Sequence, residues 1–352
     1  MKVLSIVGAR PEFIQAMPVS QALQTRHAEV LVHTGQHYDY RMSQIFFDEL
    51  PIPAPHYNLA IGSGSHAQQT AEILLGLEPI LLAEKPDVVL VRGDTNSTLG
   101  AALVAGKLQI PLVHIEAGER SHNRAMPEEI NRLLVDAIAD CHFCASQKAV
   151  DQLAAEGKTQ TVYWVGDPML DALRQLLPLA TLRSDALARW QVTPKHYGLV
   201  TLHRPANVDD PQRLEQILQA LNQVDEPIIF PIHPRTRQAM NDLGFRLADH
   251  IQLIEPIGYL DMLLLTANAR IIATDSGGLQ REAFYLLTPC LTLREETEWS
   301  ETVTTGWNYL VGADTAQIVE RWHNFPAAPL PPPLFGDGTA AQRIVTILEE
   351  LY

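Results

Sequence analysis

A chain of 352 residues, 46% apolar and 19% charged, is about twice the usual domain length and has a composition that fills two compact cores. Its formal net charge of −15 works against nonspecific binding to nucleic acid or anionic lipid, which depends on clustered Lys and Arg. Three cysteines cannot build a disulfide framework, and no apolar run approaches the roughly 20 residues of a membrane helix. With no basic segment and cleavage site after Met1, a cytoplasmic location is the expectation.

Short β-branched runs at 3–7, 30–33, 88–91, 112–115 and 142–145 alternate with longer helical stretches. That alternation predicts a doubly wound α/β domain around a parallel sheet. A second series at 197–202, 227–231, 251–253, 270–273 and 290–293 predicts another. We expect an N-terminal domain at 1–168, a linker at 169–194 and a C-terminal domain at 195–335. A closing helix at 336–352 follows a stretch holding Pro326, Pro329, Pro331, Pro332 and Pro333, which cannot itself be helical.

In open α/β sheets ligands bind beyond the carboxyl ends of the strands, so the residues after each apolar run carry the functional information. The first run ends in Gly8-Ala9-Arg10-Pro11-Glu12, where backbone amides and the Arg10 guanidinium suit a phosphate. A surface Arg beside a helix-initiating Pro is the plainer alternative. Gly93-Asp94-Thr95 follows the third run, and Asp94 there could cap a helix or act as an acid. His114-Ile115-Glu116-Ala117-Gly118 leaves the Glu116 carboxylate at a strand end, a costly place for an idle charge. Glu128 and Arg132 are four apart and share a helix face, as an ordinary surface ion pair also would. Asp94, Glu116 and Glu128 thus emerge from consecutive units of one domain, and such a cluster can set its members' proton affinities apart for acid and base work.

The second half offers His203-Arg204, His233 and Ser276-Gly277-Gly278 after successive strands. The two glycines let helix-start amides approach a diphosphate, and Glu282, one turn on, can accept ribose hydroxyls. His233 reads equally as a helix cap, and the glycine pair as a tight turn. No metal is expected: Cys141, His142 and Cys144 lie in a buried strand, and His203 and His233 lack second ligands at metal-site spacing.

Together with Thr34-Gly35-Gln36-His37 and Thr297-Glu298, the segments 8–12, 93–95, 114–118, 127–132, 203–204 and 275–280 resemble the non-hydrolysing UDP-N-acetylglucosamine 2-epimerases, in register from Met1 to about Gly312. The resemblance implies the glycosyltransferase-B fold, two Rossmann-like doubly wound domains with an interdomain cleft. It also implies a homodimer, a UDP-sugar substrate, no cofactor, and loss and re-addition of UDP through a 2-acetamidoglucal. By position it implies acid/base roles for Asp94, Glu116 and Glu128, and places His203 near the diphosphate. Arg10, Ser276, Gly277 and Gly278 fall on phosphate, Glu282 on ribose and Met262 on uracil, with Arg132 at the sugar pocket and His233 a further substrate-binding candidate. It does not say which carboxylate is the base.

The sequence departs from the family pattern in places. Gln15 stands where a Lys is common, Ala206 where a Glu usually follows His-Arg, Trp299 where an Arg follows Thr-Glu, and Glu119 where an apolar residue is usual. Residues 62–66, Arg120-Ser121 and Glu298-Trp299 resemble the branch that includes UDP-2,3-diacetamido-glucuronic acid epimerases. No arginine occurs between Arg41 and Arg92, where enzymes activated by a second UDP-N-acetylglucosamine carry one, so such activation is expected to be absent. The rival readings are a glycosyltransferase sharing the architecture, a hydrolysing epimerase and a non-catalytic nucleotide-binding relative.

Overall fold

Seven strands of the first half form one parallel sheet in the order β3-β2-β1-β4-β5-β6-β7. They are β1 Lys2–Val7, β2 Ala28–His33, β3 Tyr57–Asn58, β4 Val88–Arg92, β5 Leu112–Ile115, β6 Cys141–Cys144 and β7 Val162–Trp164. A second parallel sheet has the order β10-β9-β8-β11-β12-β13, with β8 Gly198–Thr201, β9 Ile228–Pro231, β10 Ile251–Ile254, β11 Ile271–Thr274, β12 Cys290–Thr292 and β13 Asn308–Leu310. The computed structural model describes residues 1–36 and 49–352, so His37 and Arg41 lie outside the described residues.

The central strands are buried along nearly their whole length because helices cover both faces, which is why they read as continuous apolar runs instead of alternating ones. The sequence reading missed β3, β7 and β13. Each is two or three residues long and sits at a sheet edge, too short to show any periodicity. In both sheets the order reverses once, between β1 and β4 and between β8 and β11. These are the positions where an α/β sheet opens a crevice at its carboxyl ends.

The chain divides into two compact units, Met1–Gln175 with Pro333–Tyr352, and Leu176–Pro332. The stretch read as a linker is mostly helical, Pro168–Arg183 and Ala186–Arg189, and the boundary falls inside the first of these helices. The closing helix, Ala340–Leu351, belongs to the first unit, where Ile344, Val345 and Leu348 bury themselves against Val3, Val19, Val113 and Phe143. In the second unit Leu214, Ile217, Leu218 and Leu221 of helix Pro211–Gln223 pack on Val200, Phe230 and Trp322. Among the described residues no helix is long and apolar enough to cross a membrane.

Asp171 joins the closing helix to the body of the first unit, its Oδ2 accepting the Ala341 N–H at 2.8 Å. Oδ1 is buried without a hydrogen-bond partner among the described residues. Burial, with Asp167 and Asp337 nearby, pushes this carboxyl up to about 6 from 3.8. Between those two values the folded chain holds a proton that the unfolded chain has lost, so stability falls as pH rises through that window. We expect urea unfolding to show about 1–1.5 kcal/mol more stability near pH 5 than near pH 7.5 from this group, and Asp171→Asn to remove that difference. Equal pH dependence in both proteins would refute the assignment.

Candidate active site

The turn after β1 is built around Glu12, in the first turn of helix Arg10–Gln24. Its buried carboxylate accepts the N–H groups of Gly8 (2.5 Å) and Ala9 (3.0 Å) on one oxygen. The other takes the hydroxyls of Thr95 (2.7 Å) and Thr98 (3.1 Å) from the turn after β4. Burial pushes this carboxyl up, and the four hydrogen bonds pull against that. Glu12 thus ties the ends of the two central strands. Gly8 is required there because a Cβ would stand 2.1 Å from Ser97 Oγ and 2.4 Å from Thr34 Oγ1.

Glu116 lies half-buried just beyond β5 with φ of +68°, a left-handed conformation that costs a non-glycine residue roughly 1–2 kcal/mol. Strain of this kind persists where the surroundings over-determine it, and it clusters at functional sites. The Glu116 N–H bonds Phe143 O at 3.0 Å, and its Oε2 accepts the side-chain amide of Gln15. Gln15 is itself buried, and its Oε1 has no hydrogen-bond partner among the described residues.

Asp94 does not cap a helix. Thr95 performs that task for helix Asn96–Lys107, its hydroxyl accepting Thr98 N–H at 3.2 Å. Asp94 Oδ2 instead accepts Arg132 Nη2 at 2.5 Å, and its carbonyl takes Asn131 Nδ2 at 2.8 Å. Arg132 Nη1 binds Glu129, 2.9 Å away and buried, whose carboxylate also holds the N–H groups of Ser121 and His122. Helix Pro127–Ile138 therefore reaches Asp94 through Arg132 and fixes the 121–122 loop through Glu129, while Glu128 stands half-buried in its first turn. Arg10 begins its own helix, also half-buried.

In the second unit the buried Asp275, just after β11, organises the turn after β8. Its carboxylate accepts the N–H groups of His203 (3.0 Å) and Arg204 (2.9 Å) and lies 3.1 Å from His203 Nδ1. Burial raises the Asp275 carboxyl, but His203 and these donors outweigh it and hold it below the usual carboxylate range. The His203 side chain is 41% exposed, so its ring is oriented from behind by a buried carboxylate and open at the other side. His233 caps helix Pro234–Asp242, its Nδ1 accepting the Arg235 N–H at 3.2 Å, and its ring centre lies 6.3 Å from that of His203. Burial, then His203 and Arg235, push its ring below the ordinary histidine value, which keeps it neutral.

Ser276 caps helix Gly277–Tyr285, its Oγ accepting the Leu279 N–H at 3.4 Å. A Cβ on Gly277 would meet Glu298 Oε1 at 2.5 Å, whereas one on Gly278 would make only an ordinary contact with Ser276 Oγ at 3.9 Å, so the two glycines serve different ends. Glu282 is buried and accepts the Tyr259 hydroxyl at 2.9 Å. Met262 is buried in helix Tyr259–Asn268. Trp299 carries the Arg281 guanidinium 3.9 Å above its ring, beside the Arg294–Glu298 pair at 3.0 Å.

The structure thus joins Asp94 to Arg132, Glu116 to Gln15, and His203 to the neighbourhood of His233. Sequence reading missed Glu12, Glu129 and Asp275. Asp275 carries the signal used for Glu116, an acid directly after an apolar run, and Glu129 is three residues before Arg132. Among the described residues no group of three His, Cys, Asp or Glu is arranged to hold a metal ion.

A family model described as UDP-N-acetylglucosamine 2-epimerase matches residues 21–349. The chain is 48% identical, over 100% of both proteins, to a UDP-N-acetylglucosamine 2-epimerase homolog of Methanococcus maripaludis. It is 45% identical, again over 100% of both, to UDP-2,3-diacetamido-2,3-dideoxy-D-glucuronate 2-epimerase of Pseudomonas aeruginosa. The crystal structure of Methanocaldococcus jannaschii UDP-GlcNAc 2-epimerase in complex with UDP-GlcNAc and UDP is similar with a TM-score of 0.94 at 42% identity, covering 99% of this chain and 100% of that one.

Proposed function

The chain belongs to the UDP-N-acetylglucosamine 2-epimerase family, and from that premise we propose that it inverts carbon 2 of a UDP-acetamido sugar by elimination and re-addition of UDP. The observation that carries the reading is the placement of Asp94 and Glu116. They follow paired strands, with Arg92 beside Ile115 in register, and each is half-buried with a dedicated partner. Two carboxylates on neighbouring turns suit proton removal from one face of a carbon and delivery to the other.

One carboxylate takes the proton from carbon 2 while the bond from carbon 1 to the diphosphate oxygen breaks, leaving a 2-acetamidoglucal and UDP. Protonation of carbon 2 on the opposite face and re-addition of UDP at carbon 1 complete the inversion. The carbon-2 proton is not next to a carbonyl, so its loss depends on stabilising the departing diphosphate in the same step. Arg10, His203 and the Ser276, Gly277 and Gly278 helix start serve that purpose. Glu282 takes the ribose, Met262 packs on uracil, Arg132 and Glu128 line the sugar, and His233 contributes a neutral imidazole to substrate binding. UDP-N-acetylglucosamine and UDP-2,3-diacetamido-glucuronic acid are the two substrate readings, the second favoured by the 45% identity to the Pseudomonas enzyme. In heavy water either substrate should yield both epimers carrying deuterium at carbon 2. Epimerisation with full retention of the original proton rules the mechanism out, and free sugar as the main product favours hydrolysis.

Regulation by a second sugar nucleotide is expected to be absent. The segment 62–69 holds no Lys or Arg, and Gln36 is engaged with Ser97, whose hydroxyl lies 2.8 Å from its Oε1. Losing one charge-assisted contact costs about 1.5–3 kcal/mol, enough to weaken such a site at least tenfold. Initial rates should be hyperbolic, and the reverse reaction should start without added gluco epimer. A lag abolished by traces of that epimer contradicts this.

We also expect a cytoplasmic homodimer. Leu75 and Leu82 are 73% and 56% exposed on one face of helix His66–Glu84, an apolar stripe that a second copy can cover. Light scattering should give a dimer that Leu75→Glu with Leu82→Glu converts to a monomer; a monomeric parent protein removes the idea.

A further inference from the structure

Helix Pro127–Ile138 holds one more carboxylate, the fully buried Asp136, two turns beyond Glu128. It accepts His114 Nδ1 at 2.6 Å, Arg120 Nη2 at 2.7 Å and the Gly118 N–H at 3.1 Å. The other ring nitrogen of His114, Nε2, lies 2.8 Å from the Gly93 carbonyl oxygen. A carbonyl can only accept. Burial pushes the Asp136 carboxyl up, but the facing His114 and Arg120 outweigh that and hold it well below the usual range, so it also only accepts. Both His114 nitrogens must therefore donate, which requires a proton on each. Across the β5–β6 pairing His142 is in register with His114, and the Cys144 thiol of the same strand is pushed up by burial and stays neutral. The His142 Nε2 lies 2.9 Å from the Asp136 carbonyl, and burial pushes its ring below the ordinary value, so it adds no second imidazolium.

Gly93 directly precedes Asp94, and Gly118 follows Glu116 by two residues. We propose that His114 is a doubly protonated positioning residue which, through Asp136, ties the turn bearing Asp94 to the turn bearing Glu116 and sets the spacing of the two carboxylates. The proposal rests on the acid/base assignment of those carboxylates. The imidazolium touches neither substrate nor reacting atoms. It adds a side-chain link to the backbone bond that already joins the two turns, Gly93 N–H to Ile115 O at 3.0 Å, and a misplacement of about 1 Å at a reacting centre can cost roughly 100-fold in rate. Arg120, whose Nη2 also meets Glu156 at 2.7 Å, supplies the second positive charge on Asp136 and keeps that carboxylate ionised while His114 stays charged.

The test is His114→Asn, which is too short to reach both Asp136 and Gly93. In a variant whose circular dichroism matches the parent, kcat should fall about 10- to 100-fold with KM changed less than about threefold. Deuterium incorporation at carbon 2 should fall in step. The parent protein gives an independent reading if the variant does not fold: nitrogen-15 spectra of histidine-labelled enzyme at neutral pH should show a proton on both His114 nitrogens. A neutral His114 ring there overturns the proposal. Asp94→Asn and Glu116→Gln separate the layers. If these two keep normal turnover, the carboxylate assignment and the proposal fall together. If they abolish turnover while folded His114→Asn works at the parent kcat, only the positioning role falls.

Discussion

Glu116→Gln should lower turnover by about two to four powers of ten while leaving the affinity for UDP within a factor of a few. The substitution keeps the size of the side chain and a hydrogen bond to Gln15 but removes a group able to exchange a proton at carbon 2, and general acid/base catalysis is worth about 10²–10⁴. UDP binding should survive because the residues assigned to the nucleotide, Arg10 apart, lie in Leu176–Pro332, whereas Glu116 lies in the other unit. A structural role for Glu116 predicts the reverse pattern. Its backbone is already strained at φ +68°, so a residue kept only for packing could change without loss of rate. Steady-state kinetics with UDP titration calorimetry distinguishes the two, and near-normal kcat in a folded Glu116→Gln protein ends the assignment. Asp94→Asn should behave alike, with the added consequence that Arg132, 2.5 Å away, loses its charged partner there and keeps Glu129.

Asp275→Ala should be the costliest change to stability among the site residues, about 3–5 kcal/mol. The carboxylate is fully buried and holds the His203 and Arg204 N–H groups together with the His203 ring. Its removal leaves those backbone donors without an acceptor in a closed turn, and each such orphan costs about 1–3 kcal/mol. The pH dependence has a definite sign. The folded carboxyl sits below its unfolded value, so its contribution is complete above about pH 4 and is lost as pH falls through the folded value. The gap between the urea midpoints of parent and variant should therefore be widest near pH 7 and narrow as pH falls below about 4. A constant gap across that range contradicts the charge-based account. Asp275→Asn keeps an acceptor and should recover part of the stability. It removes the charge behind His203, so kcat should still fall about 10-fold or more.

The sequence by itself determined the parts of this protein that depend on short stretches of chain. Continuous apolar runs of four or five residues announced the buried parallel strands, and the polar residues at their carboxyl ends announced Arg10, Asp94, Glu116, His203 and the Ser276-Gly277-Gly278 helix start. The rule selects them as candidates because in a doubly wound sheet those positions are both fixed by the core and open to a ligand. Where two local readings competed, it could not choose: Asp94 could have been a cap until Thr95 was seen in that place, and His233 both caps its helix and lies near His203. What tertiary structure alone decided are the contacts between residues far apart in the chain. Glu12 reaches Thr95 across 83 positions, Asp275 reaches His203 across 72, Asp136 gathers His114 and Gly118, and the closing helix returns to the first unit instead of extending the second. No periodicity records such pairings. They follow from the order in which strands join the sheets, and that order is set by the packing of whole helices on both faces, to which each residue contributes only a small part of the energy.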